Sequence, residues 1–445
     1  MSFPKYPAYR KADHEWLREI PSDWHEVRLK NLLAKKITDG PHTTPEFVEE
    51  GVPFLSVDGI QEGELVFSGC RYISHTAHEE YSKKAKPQKD DILMGKAAST
   101  GKIARIKTDL EFSIWSPLAL IRVSSDHITP AFCEYCLKSI ESQHQIELLC
   151  TSNTQKNISM DDIPKIKLAL PPLSDQHDIV CFLDRETKKI DALIAEQQRL
   201  IELLQEKRQA VISHAVTKGL NSDAPMKDSG VEWLGQVPAH WSVKPLKRCA
   251  SRVVVGIAEA ATHAYCDEGI PILRSTNIRA GKIQGEILYV DPEYASERES
   301  KKIRAGDLVT VRTGNAGVTA LVPESFDGCQ CFTMLITTLL PSQDGNFYTY
   351  LLNSTSVQDY FRLEGWGTAQ VNISVPILQE LTVAQPPFDE QKEIAEFLRM
   401  RTSKYELLTE ESLSVISLLQ ERRSALISAA VTGQIDVRGL AEAVA

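Results

Sequence analysis

Residues Leu203–Gly219, LLQEKRQAVISHAVTKG, return as LLQERRSALISAAVTGQ over Leu418–Gln434. The duplication extends far beyond this segment. HEWLREIPSDWHEVRLKNL, from His14, returns as VEWLGQVPAHWSVKPLKRC, from Val231. GVPFLSVDGIQEGEL, from Gly51, returns as GIPILRSTNIRAGKI, from Gly269, and TQKNIS, from Thr154, resembles TAQVNIS, from Thr368. PPLSDQHDIVCFLD, from Pro171, returns as PPFDEQKEIAEFLR, from Pro386. The separation stays near 215 residues throughout, so the chain holds two copies of one unit: arm, globular domain, long helix. A unit this large excludes a solenoid, whose repeats run about 20–50 residues. Two such copies in one chain favour packing about a pseudo-twofold axis, the geometry of a C2 dimer.

The helices carry the clearest local signal. Ser174–Lys218 contains no Gly or Pro, and Leu183, Ile190, Ile194, Ile201, Leu204, Val211 and Ala215 recur at helical spacing, with Leu193 and Leu200 widening the stripe. Pro171 and Pro172 block helix upstream, Ser174 or Asp175 fits an N-cap, and Gly219 is the stop. The second copy spans Asp389–Thr432, with Ile394, Phe397, Leu398, Tyr405, Leu408, Ile416, Leu419, Leu426 and Ala430 on its stripe. Each helix is roughly 65 Å long at about 1.5 Å per residue. Two such stripes can bury each other as a coiled coil, and a twofold relation requires the helices to run antiparallel, with Ile194 expected near Leu408–Ser412. Polar residues interrupt the seam at Gln197 and Ser412 and again at Arg208 and Arg423. They either snorkel at its edge or fix its register.

Between arm and helix, β-type runs such as VPFLSV, IARI, LALIRV, LVTVR and CFTMLITTLL alternate with turn residues. ITPAFCEYCLKSIESQHQIELLC and GNFYTYLLNSTSVQDYFRL read as helical. The expected fold class is α+β: two similar mixed α/β domains separated by two long antiparallel helices, as a pseudo-twofold internal repeat. The expected boundaries are an arm 1–25, a domain 26–170, a helix 171–220, a linker and second arm 221–250, a domain 251–385, a helix 386–435 and a tail 436–445.

Composition narrows the function. The net charge of −10 argues against a protein that grips nucleic acid by bulk electrostatics, though not against one that reads a few base edges. No apolar run is long enough for a membrane span, and the first residues lack a signal-peptide core, so a cytoplasmic protein is expected. Nine Cys are scattered; the CxxC of Cys133 and Cys136 and the CxC of Cys329 and Cys331 have no second half for a zinc site and read as reduced structural thiols. GKAASTGKI, from Gly95, imitates a phosphate loop but has five residues between its glycines and Ile103 in place of the magnesium-binding Ser or Thr. QPPF, from Gln385, lacks the Asp, Asn or Ser with which an amino-methyltransferase would accept from its target amine, and fits a helix entry instead. No cofactor, metal or nucleophile motif stands out, and no catalytic role is expected.

MKDSGVEWLGQVPAHWSVKPLK, Met226–Lys247, resembles the linker signature of the specificity (S) subunits of type I restriction–modification systems. PPLSDQHDIVCFLD and LLQEKRQAVISHAVTKG resemble that family's conserved regions, and the resemblance covers the whole chain in order. The first arm departs from it: YRKADHEWL, from Tyr9, lacks the DSG of Asp228–Gly230. The resemblance implies a non-catalytic subunit whose two target-recognition domains each read one half of a bipartite, asymmetric site in double-stranded DNA. It implies that the helices set the gap and that two methyltransferase (M) subunits dock, with restriction (R) subunits completing the nuclease. Duplicated segments would then be two equivalent seats. The alternatives are a fused nuclease–methyltransferase, for which the chain is too short and lacks motifs, and an adaptor joining two identical proteins without DNA, which would not need two divergent domains.

Base readout needs donors and acceptors on loops or helix ends. The candidates in the first domain are Lys96, Ser99, Thr100 and Lys102, with Thr151, Asn153, Gln155 and Lys156. In the second they are Arg274, Ser275, Asn277 and Arg279, then Arg312, Thr313 and Asn315, and Thr368, Gln370 and Asn372. Residues common to TQKNIS and TAQVNIS are expected to serve structure. Candidate partner contacts are Trp16, Trp24, Trp233 and Trp241 on the arms and Gln205, Arg208, Gln420 and Arg423 on the helices.

Overall fold

A computed structural model describes residues 3–13, 16–151, 156–258, 262–367 and 371–440. The chain divides into two compact units, Met1–Gln197 with Ser414–Ala445, and Gln198–Leu413. Both repeat the same plan. In the first, a four-stranded antiparallel sheet has the order Ile103–Arg105, Ile92–Gly95, Leu118–Ile121, Thr38–Asp39. In the second, Thr319–Leu321, Leu308–Thr310, Leu335–Leu339 and Ala250–Val255 follow that order. A smaller sheet flanks each, with one parallel pairing: Ser113–Ile114 on Val52–Leu55, and Gln330–Cys331 on Ile270–Leu273. Three of the four central strands are buried along their whole length and Leu335–Leu339 over its first three residues, which is why they show no polar–apolar alternation. Two helices then follow in each unit: Pro130–Lys138 and Ile140–Leu149, and Gly345–Leu352 and Thr355–Glu364. Ser139 breaks the first pair, its hydroxyl capping the second helix by accepting from Ser142 N.

The entry and exit of each globular part lie side by side. His25–Arg28 pairs antiparallel with Lys167–Leu170, and Ser242–Pro245 with Thr382–Gln385. The long helices follow the exit strands as Leu173–Lys218 and Phe388–Val431. The first starts one residue earlier than expected, so Ser174 and Asp175 sit in its first turn, where the Asp charge favours the helix N-terminus, and do not cap it.

Each unit contains one antiparallel pairing of helix halves. In the first, Ile179, Phe182, Leu183 and Ile190 share a core with Leu426, Ile427, Ala430 and Val431. There Asp191 meets Arg423 at 3.2 Å, and Arg438, past the far end, meets Asp175 at 3.6 Å. In the second, Ile212, Ala215 and Val216 share a core with Ile394, Ala395 and Leu398, and Arg208 meets Glu406 at 3.5 Å. The antiparallel sense is as expected, but the register is not. Ile194 and Leu419 pack on the same core, whereas Leu408–Ser412 belong to the other unit. Leu193 and Leu200, expected on the stripe, are exposed.

The arms close on helix ends. Gly219 ends the first long helix with φ +76, and a Cβ there would lie 3.2 Å from the Trp241 ring. Gly433 ends the second with φ +73, and a Cβ there would lie 2.4 Å from Pro21 and 3.2 Å from Trp24. Tyr9 OH donates to Gly433 O, and Asp436 N to Pro4 O. The second arm therefore seats on the first helix and the first arm on the second. No helix among the described residues is long and apolar enough to cross a membrane.

Candidate nucleic-acid interface

The two loop segments picked from the first domain converge, as do two of the three picked from the second. In the first unit the central strand delivers Lys96, and the chain then turns through Ala98 (φ +64) and Gly101 (φ +88). Gln143 fastens this turn by donating to Gly101 O at 2.9 Å and Leu137 O at 2.8 Å. The segment after the second short helix folds onto it. Ala97 bridges Asn157, Ile158 N donates to Lys96 O, and Thr100 Oγ1 donates to Lys156 O at 2.6 Å.

The second unit repeats the frame. Gln358 donates to Gly317 O at 3.0 Å and Leu352 O at 2.7 Å, and Gly317 has φ +92. Thr313 bridges Asn372, and Ile373 N donates to Arg312 O. Shared residues hold this frame: Gly101 and Gly317, Gln143 and Gln358, Ile158 and Ile373. What they carry differs. Lys96, Ala97, Ser99, Thr100, Thr151 and Lys156 in one copy correspond to Arg312, Thr313, Asn315, Ala316, Trp366 and Val371 in the other. Trp366 is 59% exposed, an unusual placement for a large ring. One backbone cradle thus presents two different sets of donors and acceptors, the requirement for reading two different base sequences.

The individual candidates fare unequally. Ser99 and Thr100 are half-buried in the turn, and Thr151 and Lys156 are exposed beside it. Thr313 is half-buried and Asn315 exposed, while Asn372 Oδ1 accepts from Arg312 Nε at 3.1 Å. Lys96 is tied inward, its ammonium 2.5 Å from Asp39 Oδ2. Lys102 is exposed but leans its amine on Ile60 O. Asn277 is corrected outright: it is 1% exposed, and its amide donates to Gln284 O and Glu286 O, so it ties a turn together. Half-buried Ser275 lies in that turn. Arg274 donates to Glu286 O, and Arg279 to Thr276 O and Ile278 O. The hairpin beyond them sets Lys282 2.8 Å from Glu406 of the long helix. Asn153, Gln155, Thr368 and Gln370 lie outside the described residues.

Among the partner candidates, Trp24 and Trp241 are corrected to core residues, 0% and 1% exposed. Trp16 and Trp233 keep some surface, and Gln205 and Gln420 are fully on it. Arg208 and Arg423 are half-buried in the helix ion pairs. The cysteine pairs are core thiols: burial pushes Cys133 and Cys331 up to about 12, so both stay neutral. Among the described residues no group of three His, Cys, Asp or Glu is placed to hold a metal.

Sequence reading missed the glutamine fasteners and a charged cluster at Asp39. Burial pushes the Asp39 carboxyl up, but hydrogen bonds from Lys84 and Lys96 more than reverse this and hold it below its ordinary value of 3.8. The glutamines could have been found by aligning the copies helix to helix, SIESQHQ on STSVQDY. The cluster could not, because its members are far apart in sequence.

The sequence matches the family described as type I restriction modification DNA specificity domain over residues 21–204 and 265–416. It is similar to the type I restriction enzyme MjaVIII specificity subunit of Methanocaldococcus jannaschii, 23% identical over 442 residues, covering 95% of each chain. It is also similar to the EcoKI specificity subunit of Escherichia coli K12, 23% identical over 302 residues, covering 66% of this chain and 62% of that one. The fold resembles a solved chain described under complex assembly and conformational transition of the type I R-M system, with TM-score 0.72, 16% identity and coverage of 93% and 99%. It also resembles the HsdS subunit from Thermoanaerobacter tengcongensis, with TM-score 0.51, 15% identity and coverage of 93% and 98%.

Proposed function

The chain belongs to the family of type I restriction–modification DNA specificity subunits, and from that premise we propose that its two loop cradles read the two halves of a bipartite, asymmetric site in double-stranded DNA. The observation that carries this reading is the shared frame with divergent side chains, Ser99 and Thr100 against Asn315 and Ala316, Thr151 against Trp366. A module that only held structure would have no reason to keep the fastening residues and vary the side chains that they carry.

The duplicated helices set the gap between the half-sites, and the repeated arms and helix faces seat two identical methyltransferase subunits. Exposed Gln205 and Gln420 and half-buried Trp16 and Trp233 are the residues available for those seats. Catalysis resides in the partners, methyl transfer in the M subunits and cleavage in the R subunits, while this chain supplies recognition. An acidic chain fits this division, because bulk phosphate affinity can come from its partners.

Mapping methylated adenines across the host genome tests the reading. The expected result is one bipartite motif with a fixed gap, lost when the gene for this chain is deleted. Methylation that persists unchanged in the deletion strain would refute it.

A further inference from the structure

A basic site beside each reading cradle has no assigned role. In the first unit Asp39 ends the edge strand of the four-stranded sheet, and its side chain is 6% exposed. Three cationic groups converge on this one carboxylate. Lys84 Nζ lies 2.5 Å from Oδ1, Lys96 Nζ 2.5 Å from Oδ2, and His42 Nε2 3.2 Å from Oδ2. One negative charge cannot neutralise two ammonium groups, so the cluster keeps a net charge of about +1 before any protonation of His42. The surplus is not hidden. The Lys84 side chain is 53% exposed and that of His42 68%, whereas that of Lys96 is only 12% exposed. Lys96 is also the first residue of the reading turn, so the surplus charge adjoins the cradle itself.

The second unit keeps two cations, drops the acid and has Ala258 in place of His42. Lys301 donates to Val255 O at 2.8 Å and Gly256 O at 3.4 Å, at the same turn where Lys84 reaches Gly40 O at 3.3 Å. Arg312 begins this unit's reading turn as Lys96 begins the other. Val255 stands where Asp39 does, and among the described residues neither Lys301 nor Arg312 has a carboxylate partner. The two turns share their backbone constraint. A Cβ on Gly40 would lie 1.8 Å from Ile114 O, and one on Gly256 2.4 Å from Cys331 O.

Base-reading positions must differ between copies that read different sequences, but phosphate contacts carry no sequence information and can be the same in both. A lysine amine held at the same turn in both units, beside divergent loops, meets that description. We propose that Lys84 with His42 in the first domain, and Lys301 with Arg312 in the second, each bind a backbone phosphate of the duplex and set the register in which the adjacent cradle meets the bases. Asp39 holds Lys84 and Lys96 in place in the first site. The inference rests on the DNA-reading function proposed above.

The test uses the full chain assembled with its M subunits and measures affinity against salt on two duplexes, one carrying the mapped motif and one scrambled. Lys84→Gln should weaken both duplexes by the same factor and flatten the slope of log affinity on log salt by about 0.9, the loss of one phosphate contact. Between about 50 and about 200 mM salt the variant should then lose about 3.5-fold less affinity than the parent. Lys84→Arg should keep the parental slope. Lys301→Gln, whose amine meets only carbonyls, provides a second arm independent of the Asp39 ion pairs and should flatten the slope equally. Unchanged slopes in both Gln variants, or weakening confined to the motif duplex, would overturn the inference. A parent complex that does not prefer the motif would instead overturn the reading on which it rests.

Discussion

Gly219 and Gly433 end equivalent helices, and both need the left-handed backbone that a glycine adopts without penalty. An alanine there costs about 1–2 kcal/mol from conformation alone. The neighbours then separate the two sites. A methyl group at 219 would press lightly on the Trp241 ring, whereas one at 433 would stand 2.4 Å from Pro21 and force the first arm to move. Gly433→Ala should therefore lower the thermal midpoint of the purified chain clearly more than Gly219→Ala. Equal shifts would show that the first arm yields freely. The arm tryptophans show how far a residue type alone can mislead. Trp looked like a surface anchor, but Trp24 and Trp241 are walls for these helix ends. Their surroundings also differ: Trp241 Nε1 donates to Glu390 Oε1 at 3.1 Å, while the shorter Asp175, at the matching repeat position, meets Arg438 instead. Buried Gln176 and Gln391 were equally invisible as structural residues. Gln176 accepts from Thr129 N and Gln391 from Asp344 N, each fixing the start of a short helix.

Among elements, the long helices are the best-determined part of the chain. Periodicity placed them to within a residue at either end, since forty-odd residues without Gly or Pro leave little alternative. Their register was not legible. Several antiparallel offsets bury nearly the same apolar stripe, and the choice among them falls to the few polar residues that need partners. Arg423 finds Asp191 in the first unit, and Arg208 finds Glu406 in the second, the same pair by repeat position. With side chains 30% and 50% exposed, the Arg423–Asp191 attraction is worth about 0.2–1 kcal/mol. Arg423→Asp alone sets like charges together and should cost more than that. Adding Asp191→Arg should recover most of the loss, as a coupling measured by a double-mutant cycle in chemical denaturation. Absence of coupling would mean that apolar packing alone sets the register.

At the scale of the molecule, each globular part is inserted between two strands that lie next to each other. Ser242–Pro245 pairs with Thr382–Gln385, and Leu246 N donates to Leu381 O at the seam. A boundary at residue 385 would divide this pair, so the natural exchange runs from 247 to 381. A chimera carrying a relative's domain over that span keeps both strands, both arms and both long helices. Methylome mapping should show one half-site replaced, with the other half-site and the gap intact, because base readout is local to the side chains in the groove. A chimera that alters both half-sites would show that the cradles do not read independently.

The duplication, the two long helices, their antiparallel sense and the family were determined by sequence alone, because each is written in residues close along the chain or in the comparison of one copy with the other. The candidate loops were also legible, as polar turns beside shared motifs. Only the tertiary structure decided what each side chain in them does. Lys96 and Asp39, or Lys301 and Gly256, are separated by tens of residues; the first two meet across the intervening strand Leu118–Ile121, and the second two because the turn Glu299–Lys301 lies against the end of Ala250–Val255. Whether a polar residue points at DNA, caps a turn as Asn277 does, or neutralises a buried carboxylate depends on which groups would otherwise be left unpaired on folding, and that demand exists only once the strands are paired.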